Sequence, residues 1–272
     1  MWLQRCCGGS RNLSLMRIRP VVAALVVGAL GWGSVPSVAV SAGPTPRVDE
    51  PPFIERRVVG TSVGGREIEA LRYGTVGGTV VMVVGVIHGD EEAGLQIVDV
   101  LRTMSPPVGV DLWIIPTMNP DGTAASTRGN SRGVDLNRNF PRDWAPQGEP
   151  GYWQYAGTSA GSEPETRAMV QFVRSVKPAL GIWYHQDLNM ISPGTGFEGR
   201  LRARYAKLTD LPLVRITGGR YTGVAATWQR NAVPEASGFV VELGPSITAT
   251  QARAHAEAVM VVSRMVRSVR VP

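Results

Sequence analysis

Cysteine is nearly absent: two occur in 272 residues, Cys6 and Cys7, both close to the amino terminus. They sit in a stretch that reads as a secretory leader, residues 1–42. Arg5, Arg11, Arg17 and Arg19 precede a short apolar run from Val21 to Leu30, and Val40-Ser41-Ala42 has the small residues of a cleavage site. The run is too short, and too interrupted by glycine, to favour a permanent membrane span. A start at Met16 gives a leader of more ordinary proportions and leaves both cysteines upstream. The mature chain is therefore expected to lack cysteine, which excludes thiolate metal ligands, a cysteine nucleophile and disulfide staples. The cysteines also lie before the apolar core, the wrong place for a lipid anchor. The expected location is outside the cell or in its envelope.

Lysine is almost as scarce, with only Lys177 and Lys207. Residues 1–42 carry four arginines and no acid, so their removal takes the formal charge from +6 to +2. The remaining arginines are scattered, without a basic stripe, and nucleic acid is not an expected partner. There is no internal repeat. A proline-rich lead-in over 43–56 precedes residues 57–272, long enough for one large domain with a real core.

Along that domain, segments 57–63 and 66–73 alternate apolar and polar residues around Gly64-Gly65, the pattern of a hairpin. Residues 80–87 carry no charge, so 79–87 reads as a strand buried on both faces. A helix is expected over 91–104, from Leu95, Ile97, Val98 and Leu101, and Pro106-Pro107 ends it. A second buried strand, 110–116, runs into Asn119-Pro120-Asp121-Gly122, a turn by composition. The long stretch from there to Gly161 is rich in Gly, Arg, Asn and Pro, and a loop of that length in a compact domain is usually functional. Ser162 reads as the cap of a helix with Glu165 in the capping-box position; Met169, Phe172, Val173 and Val176 keep helical spacing up to Pro178. Strand 180–184, helices at 198–208 and 222–231, strand 238–241 and a final helix at 248–269 complete an α/β order with a mainly parallel or mixed sheet.

The ionisable residues gather where the strands end. His88 and Glu91 follow the first buried strand, His185 the strand at 180–184, and Glu242 the strand at 238–241. Open α/β sheets bind ligands at the carboxyl ends of their strands. Zinc in a hydrolase commonly takes three protein ligands and keeps a position for water. His88, Glu91 and His185 would supply the three, leaving Glu242 as general base. A second cluster, Arg128 and Asp135 to Pro141, offers arginines that could stabilise an oxyanion or hold a carboxylate.

The blocks His88-Gly-Asp-Glu91, Asn119-Pro-Asp-Gly122, Val134-Asp-Leu-Asn-Arg-Asn-Phe-Pro141, Ser162-Glu-Pro-Glu-Thr166, Tyr184-His185 and Val240-Val-Glu242 resemble, in order, the zinc carboxypeptidase family. Among its branches the chain looks most like the small bacterial murein peptide amidases, which cleave the γ-D-glutamyl–diaminopimelate bond. The resemblance runs from about residue 57 to 269. It implies a three-layer α/β/α fold with a sheet of about eight strands, and one zinc per chain on His88, Glu91 and His185. It further implies Glu242 as the base, Arg128 as the arginine that polarises the scissile carbonyl, and Asn137 with Arg138 as the grip on the substrate's terminal carboxylate. Asp135 matches the carboxylate that orients a zinc-ligating histidine, His88 here.

Several residues stay open. Arg132 lies near enough to compete with Arg128. Asp90 and Asp187 read as loop carboxylates and His255, among Ala and Glu on the last helix, as a surface residue. Trp144, Tyr152, Trp153 and Tyr155 fit either a substrate groove or loop packing. The family's vertebrate branch carries a mobile tyrosine near the base; no counterpart is evident, Tyr221 lying well upstream. The leading expectation is a secreted zinc hydrolase acting on a murein-derived peptide, with no stable membrane span once the leader is removed. The alternatives are a general zinc carboxypeptidase, an N-acyl-amino-acid hydrolase and a non-catalytic wall-peptide-binding module. The last would be marked by loss of a ligand or of the base, and none is lost.

Overall fold

In a computed structural model the described residues are 53–270. The leader reading, with Cys6 and Cys7, and the lead-in up to residue 52 lie outside them. In chain order the strands are β1 (Phe53–Thr61), β2 (Glu67–Gly74), β3 (Thr79–Val86), β4 (Val110–Thr117), β5 (Leu180–Gln186) and β6 (Ser237–Leu243). The helices are α1 (Ala93–Arg102), α2 (Pro120–Ala125), α3 (Pro164–Val176), α4 (Gly196–Thr209), α5 (Ala225–Ala232) and α6 (Ala249–Arg270). The strands form one sheet in the order β1-β2-β4-β3-β5-β6. The hairpin at one edge is antiparallel and β4, β3, β5 and β6 run parallel.

Because side chains alternate across a strand, each central strand feeds two cores. Val81 and Val83 pack with Ile97 of α1, Leu201 of α4 and Val259 of α6. Met82 and Val84 point to the opposite face, among Met169 and Phe172 of α3 and Trp228 of α5. Helices therefore cover both faces of the sheet, giving the α/β/α layers. A fully apolar run such as Val80–Val84 is what such two-sided burial requires.

Four details depart from the sequence reading. Six strands occur among the described residues, not about eight; beyond β6 the pairing continues only as isolated bridges, Met190 with Glu242 and Ile191 with Leu213. The segment that would extend it contains Pro212, Gly218 and Gly219, residues that sustain a ladder poorly. β1 starts at Phe53, so residues 53–56 belong to the sheet and not to a lead-in. Asn119-Pro120-Asp121-Gly122 opens α2 and is not a free turn. Asn119 Oδ1 accepts from the Gly122 amide at 3.0 Å with Pro120 in the first turn, and caps and turns share this composition. Ser162 does not cap α3: the cap position is Glu163, and Ser162 Oγ donates to Glu163 Oε1 at 2.8 Å. Glu165 instead accepts from the Val63 amide at 2.9 Å and Asn130 Nδ2 at 3.1 Å. These distant partners replace the local capping box.

His255 is also corrected, from surface to interior. It is 3 % exposed and lies on the stripe Ala252, His255, Ala256, Val259 that α6 turns inward, where the two alanines let the helix approach. Tyr205 Oη sits 3.0 Å from its Nδ1, and Tyr184 Oη 2.6 Å from Tyr205 Oη. Burial pushes the His255 imidazolium down to about 4. An unfolded chain protonates this histidine near 6.5, so its contribution to stability is whole above that pH and is lost as pH falls from 6.5 to 4, by roughly 3 kcal/mol in all. Thermal unfolding at pH 7.5 and pH 5 should show a His255→Gln variant less stable than the parent at the higher pH but losing less on acidification. Parallel losses would rule out this titration.

Candidate metal centre

Three parallel strands deliver the site. β3 ends at Val86, two residues before His88; β5 carries His185; and β6 carries Glu242, the Cα partner of His185 in the ladder. Glu91 comes from the turn between β3 and α1. That turn is tight because α1 almost touches β3: a Cβ on Gly94 would lie 2.0 Å from the Gly85 carbonyl oxygen. Gly89 is constrained in the same way, since a Cβ there would fall 1.9 Å from the Gly122 carbonyl carbon. The glycine between His88 and Glu91 is thus a packing requirement. Gly89→Ala should displace the turn, lowering stability by about 1–3 kcal/mol and weakening zinc binding; a melting curve and a zinc titration unchanged from the parent would contradict this.

At the centre the His88 and His185 Nδ1 atoms lie 3.1 Å apart. Glu91 places Oε1 2.8 Å from the first and Oε2 2.9 Å from the second. All three residues are buried, and their ligand atoms lie within 4.8 Å of one another. Asp135, fully buried, accepts from His88 Nε2 at 2.9 Å; with the proton held there, Nδ1 keeps its lone pair toward the centre. Two imidazoles and one carboxylate at the wall of an open cavity form a donor set that fits zinc with a position left for water. The cavity measures about 790 Å³ and is also lined by Glu242, Arg128, Asn137 and Arg138.

The charges are mutually adjusted. Burial works against ionising Glu91, yet the His185 and His88 rings hold its carboxyl well below the usual range. Burial would lower His88, but Asp135 and Glu91 raise it to about 9; a metal bound at Nδ1 would displace that second proton and leave the Nε2 proton on Asp135. His185 moves the other way, with burial dominant over its pairing to Glu91. Glu242 is lifted to about 7, first by burial and then by the charge on Glu91. A bound cation would draw it back down, toward a carboxylate that takes a proton from water and later returns it.

Arg128 reaches in from the long loop. Its Nε and Nη2 donate to Asp135 Oδ2 at 3.1 and 2.8 Å, and Nη1 donates to Glu91 Oε1 at 3.1 Å. Three of its five N–H groups are thereby used, and its guanidinium stacks 5.0 Å from the Trp153 ring centre. Arg132 points elsewhere, toward Glu163 at 3.4 Å. Arg138 is 3 % exposed, donates from Nη1 to the Asn137 carbonyl at 2.9 Å, and has a buried Nε that meets no acceptor. Burial pulls its pKa down despite the nearby Asp135. Asn137 Oδ1 accepts from the Ala225 amide at 3.0 Å, and Nδ2 lies 3.2 Å from His185 Nε2. Its amide is therefore largely engaged within the protein, and Arg138 is the group with donors to spare.

The profile of the family described as zinc carboxypeptidase matches residues 47–194, more than half of the sequence and all three donor residues. The chain belongs to the zinc carboxypeptidase family. That is a family of zinc-dependent hydrolases, and the donor set found here suits its metal. Murein peptide amidase A of Escherichia coli strain K12 is 34% identical over 153 residues, which are 52% of this chain and 62% of the relative. This family member thus spans about three fifths of that relative's length. Carboxypeptidase A from Helicoverpa armigera superimposes with a TM-score of 0.69 at 21% identity, over 80% of this chain and 69% of the other. The murein-tripeptide amidase of Escherichia coli O157 does so with a TM-score of 0.62 at 23% identity, over 82% and 96%. These superpositions show that the fold is shared.

Asp90 and Asp187 are exposed and line the cavity. Of the aromatic residues in the long loop, Trp153 lines the cavity while Trp144 donates from Nε1 to the Ala156 carbonyl at 3.1 Å. Tyr221, distant from Glu242 in sequence, stands on the wall with its ring centre 5.2 Å from the Arg138 guanidinium. The sequence reading missed Gln186. Its backbone amide donates to Glu91 Oε2 at 3.1 Å and its side-chain Oε1 accepts from the Ala93 amide at 2.7 Å. It thereby caps α1, whose own cap residue Glu92 makes no side-chain bond. No local signal marks it, because the helix it caps begins 93 residues earlier. Arg202 and Arg230, also unmarked, line the same cavity.

Proposed function

We propose that this protein is an exo-acting zinc peptidase: it hydrolyses the amide bond that precedes a terminal residue bearing a free carboxylate. The observation that carries this reading is Arg138, a buried guanidinium with an unpartnered Nε, in the same cavity as the zinc donor set and Glu242. A buried cation with no carboxylate in hydrogen-bond contact is costly, so a cavity wall that keeps one calls for an anion. Zinc, when bound by His88, Glu91 and His185, supplies Lewis acidity and lowers the pKa of water toward neutrality. Glu242 then takes the proton from the attacking water and returns it to the leaving amine. The two unused N–H groups of Arg128 stabilise the charge that develops on the carbonyl oxygen. Asp135 holds both His88 and Arg128 in place, while Arg138, with Asn137 beside it, receives the terminal carboxylate.

The favoured substrate is the γ-D-glutamyl–diaminopimelate bond of murein peptides, a reading supported by the likeness to murein peptide amidase A. Action outside the cytoplasmic membrane, with residues 1–42 as leader, is part of the same proposal and rests on the arginine-flanked apolar run. The test compares zinc-loaded protein on L-Ala-γ-D-Glu-diaminopimelate and on blocked dipeptides of L-residues, with products read by mass spectrometry. Preference for the blocked dipeptides would refute the murein substrate and leave the zinc chemistry standing. Arg138→Met should raise KM by roughly 10²-fold or more, the scale of an unpaired buried charge partner. Equal KM values in variant and parent would remove Arg138 from carboxylate binding.

A further inference from the structure

On the wall of the cavity formed by α4, α5 and β6 lies a second group of charges that the chemistry above does not use. Arg202 of α4 is 8 % exposed. It donates from Nη1 to the Ser192 carbonyl at 2.9 Å and from Nη2 to Glu198 Oε1 at 2.5 Å, and its buried Nε meets no acceptor. Arg230 of α5 lies on the same wall, with Nη1 3.4 Å from the same Glu198 oxygen. The other Glu198 oxygen accepts from the Gly238 amide at 3.0 Å. One carboxylate is therefore shared by two guanidiniums and a backbone donor, which leaves the group a net positive charge. Burial and, to a smaller extent, the neighbouring Arg230 pull the Arg202 pKa down against the opposing pull of Glu198.

Phe239, Val240 and Ala226 line the same cavity. A pocket meant for an aliphatic or aromatic side chain gains nothing from two arginines, and one meant for a lysine would need the opposite sign. We infer that Arg202 and Arg230 select, at the wall formed by α4 and α5, a terminal residue whose side chain itself ends in a carboxylate. The substrate class is then a peptide whose last residue presents two carboxylates, one to Arg138 and a second, at the tip of the side chain, to Arg202 and Arg230. This deepens the exopeptidase reading, on which it rests for the orientation of the substrate.

Zinc-loaded Glu242→Gln protein separates binding from hydrolysis. Calorimetry with N-acetyl-alanyl peptides ending in diaminopimelate, glutamate, glutamine or norleucine should show the two acid-tipped peptides binding at least tenfold tighter than the neutral pair. Adding Arg230→Gln should reduce that ratio to below threefold while leaving the affinity for the norleucine peptide within twofold. Arg202→Lys, which keeps the charge but not the planar fork, should weaken it less than Arg202→Gln, and circular dichroism identifies any variant that fails to fold. The inference is overturned if glutamine- or norleucine-ended peptides bind as well as the acids, or if the preference survives in both Arg230→Gln and Arg202→Gln. Hydrolysis by the parent is scored separately. Selective binding without hydrolysis would refute the peptidase and keep the selectivity, whereas hydrolysis of all four peptides at similar efficiency, with no selective binding, would refute the selectivity alone.

Discussion

Glu242→Gln is expected to lower kcat by roughly 10²–10⁴-fold, the usual range for a general acid–base, while zinc still binds at one equivalent. The substitution keeps the shape of the side chain and removes only its capacity to carry a proton. Glu242 is not one of the three residues whose donor atoms converge, so metal retention should not depend on it. It stands on β6 as the ladder partner of His185 and lines the same cavity. In the parent, burial and the charge on Glu91 raise its carboxyl toward 7; a bound cation would draw it back down. The acid limb of kcat/KM should therefore fall at or below neutral pH, with activity rising as the carboxyl deprotonates. Steady-state kinetics with metal analysis of the same preparation measures both effects. A variant that turns over at the parental rate would take the base role away from Glu242, and one that loses its zinc would place Glu242 among the ligands.

Asp135→Ala should damage the centre in two ways at once. Asp135 accepts from His88 Nε2 through one oxygen and from Arg128 Nε and Nη2 through the other. Burial opposes its ionisation, but His88 and then Arg128 keep its carboxyl far below the usual range. Without it, His88 loses the contact that sets its tautomer, a change that typically weakens zinc by about 10–100-fold. Arg128 keeps only its bond to Glu91, and loss of an aligned oxyanion donor is worth roughly 10²–10³-fold in kcat. A zinc titration monitored with a competing chelator gives the first effect; kcat at saturating zinc gives the second. If saturating zinc restores kcat fully, Asp135 acts on the metal ligand alone and the orienting role for Arg128 is wrong.

Much of this was legible because it is written in local patterns. The charge-free run from Val80 to Ile87 announces a strand buried on both faces, and the ionisable residues that follow it, like those after β5 and β6, mark the edge where parallel strands place ligands. What went astray involved competition with distant partners. Ser162 and Glu165 have the composition of a capping box, but Val63 and Asn130 claim the Glu165 carboxylate. His255 sits among residues that read as surface, and only the approach of α6 to the sheet buries it beside Tyr205. Gln186 could not be found at all, since the helix it caps lies far upstream.

The sequence by itself determined the family, the α/β order and the identity of the candidate donors and base, because those rest on residue type and spacing along the chain. Which arginine faces the centre, how Asp135 divides itself between His88 and Arg128, and that Arg202 and Arg230 share one acid were decided only by the tertiary structure. Each depends on where strands β3, β5 and β6 and the long loop meet in space, and on how few counter-charges remain once those elements have packed.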